Sequence, residues 1–242
     1  MYPVAVDMPL SSSVDASPLY APTIKGSTLS NGASIVARHS RADNVSLKFV
    51  LSCGSRAELF PEKGAAHLLA HSAFAGTQKE SGLRLMRSLE NHGCTVGASA
   101  NREQIVFSVN TPAEFVDFAM EKVTEAVFSP PQFSHAIEER KSVAALDYDT
   151  LKSCPQTALT ELLHEAAYGD GTPMGSSLFA SDLKKLEVGD VMEYRLRNFK
   201  TNHLTILASG LALDSVELSA KKFLDPAEAF PVANIPSGFM GG

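Results

Sequence analysis

The feature that most constrains this chain is the order of its periodicities: strands are grouped early, many helices follow, and one late strand returns near the end. Val45 to Cys53 sets Val, Leu, Phe and Leu against Ser, Lys and Ser, the two-residue alternation of a half-buried strand that ends at Gly54. Ser27 to His39 reads as a hairpin turning at Ser30-Asn31-Gly32, and Thr95 to Ala100 and Gln104 to Asn110 read as two further antiparallel strands. Such an order specifies an α+β layer, a mainly antiparallel sheet with helices packed on one face.

Between and after these strands the spacing turns helical. Helices are predicted from about Lys63 to Ala75 and from Ser81 to His92, the second stopped by Gly93. Pro112 opens a helix whose Phe115, Phe118, Val123 and Val127 form a core stripe, and Pro130-Pro131 breaks it. A long helix follows from about Phe133 to Leu151 and another from Thr157 to Tyr168. Val188 to Phe199 and Leu213 to Phe223 are the last two, with the strand Leu204 to Ser209 between them. Residues 1–25, with several prolines and a run of three serines, read as an extended arm, 26–224 as one lobe, and 225–242, rich in Pro, Ala and Gly, as a linker or tail.

Composition narrows the function. The 242 residues carry a formal charge of -6 with a pI near 5.6, which argues against nucleic acid as the main ligand. No apolar run approaches the roughly 20 residues that span a bilayer. Cys53, Cys94 and Cys154 are odd in number and widely spaced, so they are expected to be buried free thiols in a reducing compartment. No arginine precedes Arg38, so an Arg-rich presequence is not visible.

The chemistry-bearing pattern is His67-Leu68-Leu69-Ala70-His71. Two histidines at i and i+4 share one helix face, where their imidazoles can converge on one ion. By itself the spacing also suits partly buried, hydrogen-bonded histidines.

Several short runs, in order, resemble the N-terminal half of the pitrilysin/insulinase family of metallopeptidases. They are Leu29-Ser30-Asn31-Gly32, Gly54-Ser55-Arg56-Ala57-Glu58, Gly64-Ala65-Ala66-His67-Leu68-Leu69, Leu89-Glu90-Asn91-His92-Gly93, Ser99-Ala100-Asn101-Arg102-Glu103 and Leu163-His164-Glu165-Ala166-Ala167-Tyr168. The resemblance is specifically to the mitochondrial branch, which holds the processing-peptidase subunits and the core subunits of ubiquinol:cytochrome c reductase. Catalytic members carry His-x-x-Glu-His, where the histidines bind zinc and the glutamate is the general base. The resemblance puts Ala70 at the base position and Asp147 at the third-ligand position, one methylene shorter than the usual glutamate, so that reaching a metal would need backbone movement. Arg140 falls where a supporting carboxylate is usual, although Glu138 and Glu139 adjoin it. Glu58, Glu62 and Glu80 flank the motif helix without sharing the place of Ala70.

What the resemblance implies is one lobe of a clamshell, catalytically dead, with no cofactor and no metal expected at the vestigial positions His67, His71 and Asp147. The implied role is a structural subunit, peripheral on the matrix side of the mitochondrial inner membrane, first of all a core subunit of ubiquinol:cytochrome c reductase. The alternatives are a presequence-binding, non-catalytic subunit of a processing peptidase, or a structural subunit of another inner-membrane complex such as ATP synthase. Its partners would be other subunits, including a peptidase-like paralogue or a chain supplying the second lobe, with neither nucleic acid nor a membrane span of its own.

Overall fold

The computed structural model describes residues 23–40, 43–129, 134–169, 171–179, 183 and 185–224. The expected arm, the linker and the Pro130-Pro131 break lie outside these residues, apart from the last three residues of the arm. Six described strands form one sheet: β1 Ile24–Thr28, β2 Ser34–Arg38, β3 Asn44–Leu51, β4 Thr95–Ala100, β5 Ile105–Pro112 and β6 Leu204–Ser209, in the order β1-β2-β6-β3-β5-β4. All neighbours are antiparallel except β2 and β6, which run parallel and are far apart in the chain, with β3, β4, β5 and helices between them.

Alternation decides which face is buried. On β3, Val45, Leu47, Phe49 and Leu51 point into the core while Ser46, Lys48 and Val50 face away. Register aligns Phe49 with Phe107 on β5 and Ile206 on β6, and Leu51 with Ile105 and Leu204, so apolar rows cross the sheet on that one face. The helices are α1 Ala65–His71, α2 Gly82–Asn91, α3 Val116–Phe128, α4 Ser134–Ser153, α5 Pro155–Tyr168, α6 Val188–Asn198 and α7 Leu213–Phe223. The fold is therefore the expected α+β layer.

Three boundaries differ from expectation for local reasons. The first strand begins at Ile24, inside the segment read as an arm, because Ile24 to Thr28 pair residue for residue with Arg38 to Ser34. A 3₁₀ turn over Ala113–Phe115 precedes α3, so Pro112 ends β5 rather than opening the helix. The motif helix is shorter than predicted. It ends at His71, where the Ser72 hydroxyl bonds the carbonyl of Leu69 and competes with continued helix.

This short helix is placed by what precedes it. Gly54 lies so close to the β4–β5 turn that a Cβ there would meet the Asn101 carbonyl at 2.3 Å, and the backbone amides of Ser55 and Arg56 bond the carbonyls of Asn101 and Arg102. The buried Glu62 carboxylate accepts from the Leu59 amide and from Arg197 of α6, Oε1 to Nη1 being 2.7 Å. Arg197 also donates to the Ala57 carbonyl at 3.0 Å. Replacing Arg197 by Ala strands a carboxylate that is 1% exposed. Urea unfolding should show a loss on the order of 3 kcal/mol, the low end for a broken buried pair because Arg197 itself reaches solvent.

Candidate metal centre

α1 is buried nearly all round, with Ala65, Ala66, Leu68 and Leu69 in the core and its two histidines as the only polar side chains. Gly64, at φ 92, supplies no capping side chain. The first amides are satisfied by Glu58 instead, whose carboxyl oxygens accept from Gly64 N at 2.9 Å and Ala66 N at 2.8 Å.

With α1 fixed, His67 and His71 project from one face toward α4. Their Nε2 atoms are 3.2 Å apart, and Asp147 Oδ2 lies 3.0 Å from the first and 2.7 Å from the second. The rings meet edge to face, and Phe179 packs edge-on against His67 with ring centres 5.0 Å apart. Asp147 follows Ile137, Lys141 and Ala144, the buried seam of α4, by a further turn on the same side. The aspartate thus reaches both imidazoles at hydrogen-bond distance.

Burial lowers the pKa of His67, the neighbouring His71 lowers it further, and Asp147 opposes both. For Asp147, burial pushes upward, but hydrogen bonds from His71 and His67 outweigh it and hold the carboxyl below its usual range. Neutral imidazole and ionised carboxylate are the states in which these groups ligate a metal. Two imidazole nitrogens and one oxygen at this spacing approach the edge of about 3.4 Å between donors around a tetrahedral zinc-type ion. The donor set fits such an ion, held by His67, His71 and Asp147. Among the described residues the buried Nδ1 of His67 has no hydrogen-bond partner, and an outer partner of that kind is typically worth about 10- to 100-fold in metal affinity. An ion held there would supply Lewis acidity to a bound oxygen ligand. Ala70 contributes a methyl group, which neither takes nor gives a proton.

The remaining carboxylates near the motif are committed elsewhere. Glu58 caps α1, Glu62 pairs with Arg197, and Glu80 pairs with Lys122. Glu138 bonds Lys141 at 2.7 Å, and Arg140 is exposed. The capping role of Glu58 and the contact of Phe179 are not visible in sequence. A glycine at the helix start without a capping side chain is the one clue that some other acceptor must serve it. Cys53 and Cys94 are buried as expected, whereas Cys154 is half-exposed at the start of α5, accepting from Thr157 Oγ1.

Residues 34–182 match the profile of Insulinase (Peptidase family M16). The chain belongs to this family. The mitochondrial-processing peptidase alpha subunit of Solanum tuberosum is 28% identical over 186 residues, covering 76% of this chain and 36% of that protein. The probable alpha-1 subunit of Arabidopsis thaliana is 27% identical over 242 residues, covering 99% and 47%. The beta subunit of Rattus norvegicus is 26% identical over 207 residues, covering 85% and 42%. The chain thus spans less than half the length of these curated relatives. Its fold matches a protease from Helicobacter pylori with a TM-score of 0.77 at 18% identity, over 89% of this chain and 53% of that one. Among these relatives the processing-peptidase subunits, rather than the respiratory core subunit first expected, are the named counterparts.

Burial holds the Glu58 carboxyl up to about 8 from an ordinary 4.5, against the two backbone N–H bonds that favour its anion. The folded pKa is the higher one, so the contribution is full below pH 4.5 and is lost as pH rises through 8. Urea unfolding across this range should show Glu58→Gln flattening that decline, and an unchanged pH slope would refute the assignment.

Proposed function

We propose that this chain is a non-catalytic, peptidase-like subunit of mitochondria that works beside a catalytic partner of the processing-peptidase type and helps hold presequences. The observation that carries this reading is Ala70. Both imidazoles and a carboxylate converge, yet the side chain in the base position of the family motif ends in a methyl group. Among the described residues, Asp147 is the one carboxylate in the cluster, and the family resemblance puts the third ligand at this residue. Loss of a general base costs a factor of about 100 to 10,000.

The names of the relatives, alpha and beta processing-peptidase subunits, support this pairing over a core subunit of ubiquinol:cytochrome c reductase on the matrix side of the inner membrane, which rests on resemblance alone. The acidic balance of the chain suits cationic presequences in a general way. Among the described residues no helix is long and apolar enough to cross a membrane.

A fluorescent Arg-rich presequence peptide tests the reading directly. Titration with the purified chain should give saturable anisotropy, and chromatography after incubation with zinc should show intact peptide unless a catalytic partner is added. Chelator-sensitive cleavage by the chain alone would overturn the non-catalytic assignment. Failure to bind would remove the presequence role and leave a scaffold.

A further inference from the structure

We propose that a cavity of about 390 Å³ between α3 and the end of α7, lined by none of the histidine-cluster residues, is a binding site for a primary alkylammonium group on a short aliphatic chain. The site is independent of Ala70 and of presequence holding.

Four residues of α3 form one wall: Glu121, Thr124, Glu125 and Phe128. Spaced i, i+3, i+4 and i+7, they share a face of the helix beside the one that carries Met120, Val123 and Val127 into the core. Phe223 and Lys222 at the end of α7 stand opposite, and Lys79, from the loop ahead of α2, reaches the rim. The volume lies at the small end of ligand sites, which run from about 300 to 1,000 Å³.

The polar groups of this wall decide what it takes. Thr124 is 7% exposed, and among the described residues its buried Oγ1 has no hydrogen-bond partner. Nor has the buried Oε2 of Glu125, since the Lys122 ammonium stands 3.7 Å away and pairs with Glu80 instead. Unmet buried groups on adjacent residues cost free energy that a suitable ligand recovers. A carboxylate oxygen only accepts, so the group that satisfies it must donate, and an anion there would be repelled. The hydroxyl accepts from the same donor.

The chain's own side chains already show this chemistry at the cavity. The Lys79 ammonium donates to Oε1 of Glu125, and Lys222 holds its ammonium 4.8 Å from the centre of the Phe223 ring and 3.4 Å from Asp117 Oδ2. An ammonium over an aromatic face and against a carboxylate is the usual way such cations are recognised. Both lysine side chains are more than half exposed, at 69% and 61%, so they cover the site from the solvent side on flexible stems. A ligand with the same head group can displace Lys79 from Glu125 and reach the oxygen that Lys79 leaves unmet, with its aliphatic chain against the half-buried rings of Phe128 and Phe223.

Pentylamine, as its ammonium at neutral pH, titrated into the isotope-labelled full chain and followed by amide NMR shifts, provides the test. Shifts confined to residues 121–129, 222–224 and the neighbourhood of Lys79 should saturate with a Kd on the order of 1 mM, fitting for so small a ligand. Pentan-1-ol, with the same chain and no charge, should bind about 10-fold more weakly or worse. Lys79→Met removes the tethered competitor and should tighten pentylamine binding about 3- to 10-fold. Thr124→Val keeps the shape of the side chain without its hydroxyl and should weaken binding by a similar factor, about 3- to 10-fold, with no loss of stability. Nα-acetyl-lysine methylamide carries the same head group on a peptide backbone. Saturable binding of either amine supports the site, and the tighter of the two tells whether a free amine or a lysine side chain is its source. No saturable shift in both wild type and Lys79→Met, shifts that map elsewhere, equal affinity for the alcohol, or unweakened binding by Thr124→Val would each overturn the proposal.

Discussion

The molecule depends on keeping one seven-residue helix inside its core. A helix of this length has no independent stability in water. It persists because Ala65, Ala66, Leu68 and Leu69 are removed from solvent and because its first amides, buried with them, find acceptors on Glu58. An unmet amide there would carry the full penalty of an unsatisfied buried donor. The turns over Ser55–Ala57 and Phe60–Glu62 deliver that carboxyl, and Arg197 and the close approach at Gly54 hold those turns in place.

From this constraint the site follows. A helix pinned on all sides presents His67 and His71 in one direction with little freedom, and α4 needs only to bring one carboxylate past them. Cluster geometry and proton transfer are therefore separable. The first is set by backbone placement of two helices, the second by one side chain, and Ala70 alters the second without disturbing the first. Small Ala70 also packs where it stands, 8% exposed among apolar neighbours, so nothing in the core resists the loss of a carboxylate at that position.

Much of the architecture was legible in the chain. β6 and α7 fall where alternation and helical spacing put them, with Gly210 at φ 107 after the strand and Ala212 in extended conformation before the helix. Misplaced boundaries share a cause. Ser72 stops α1 through a hydroxyl bond to its own backbone, and β1 extends to Ile24 through pairing with Arg38, and neither is encoded in hydrophobic periodicity. Burial was read correctly for Cys53 and Cys94 and not for Cys154, whose surroundings come from a helix start that periodicity placed two residues late.

Sequence alone determined the chemistry available: two histidines one helical turn apart, an aspartate far downstream, and a methyl group where a proton acceptor stands in catalytic relatives of the motif. The histidine pair follows from residue identity and a 3.6-residue repeat, and the roles of the aspartate and the methyl position from the family resemblance, none of which needs long-range information. Tertiary structure alone decided that Asp147 reaches both imidazoles despite its short side chain, that Glu58 serves the helix start rather than the cluster, and that Phe179 closes against His67. Each depends on where separate elements pack, and distances between them are set by the volume of the core that lies between, a quantity that belongs to no local stretch of chain.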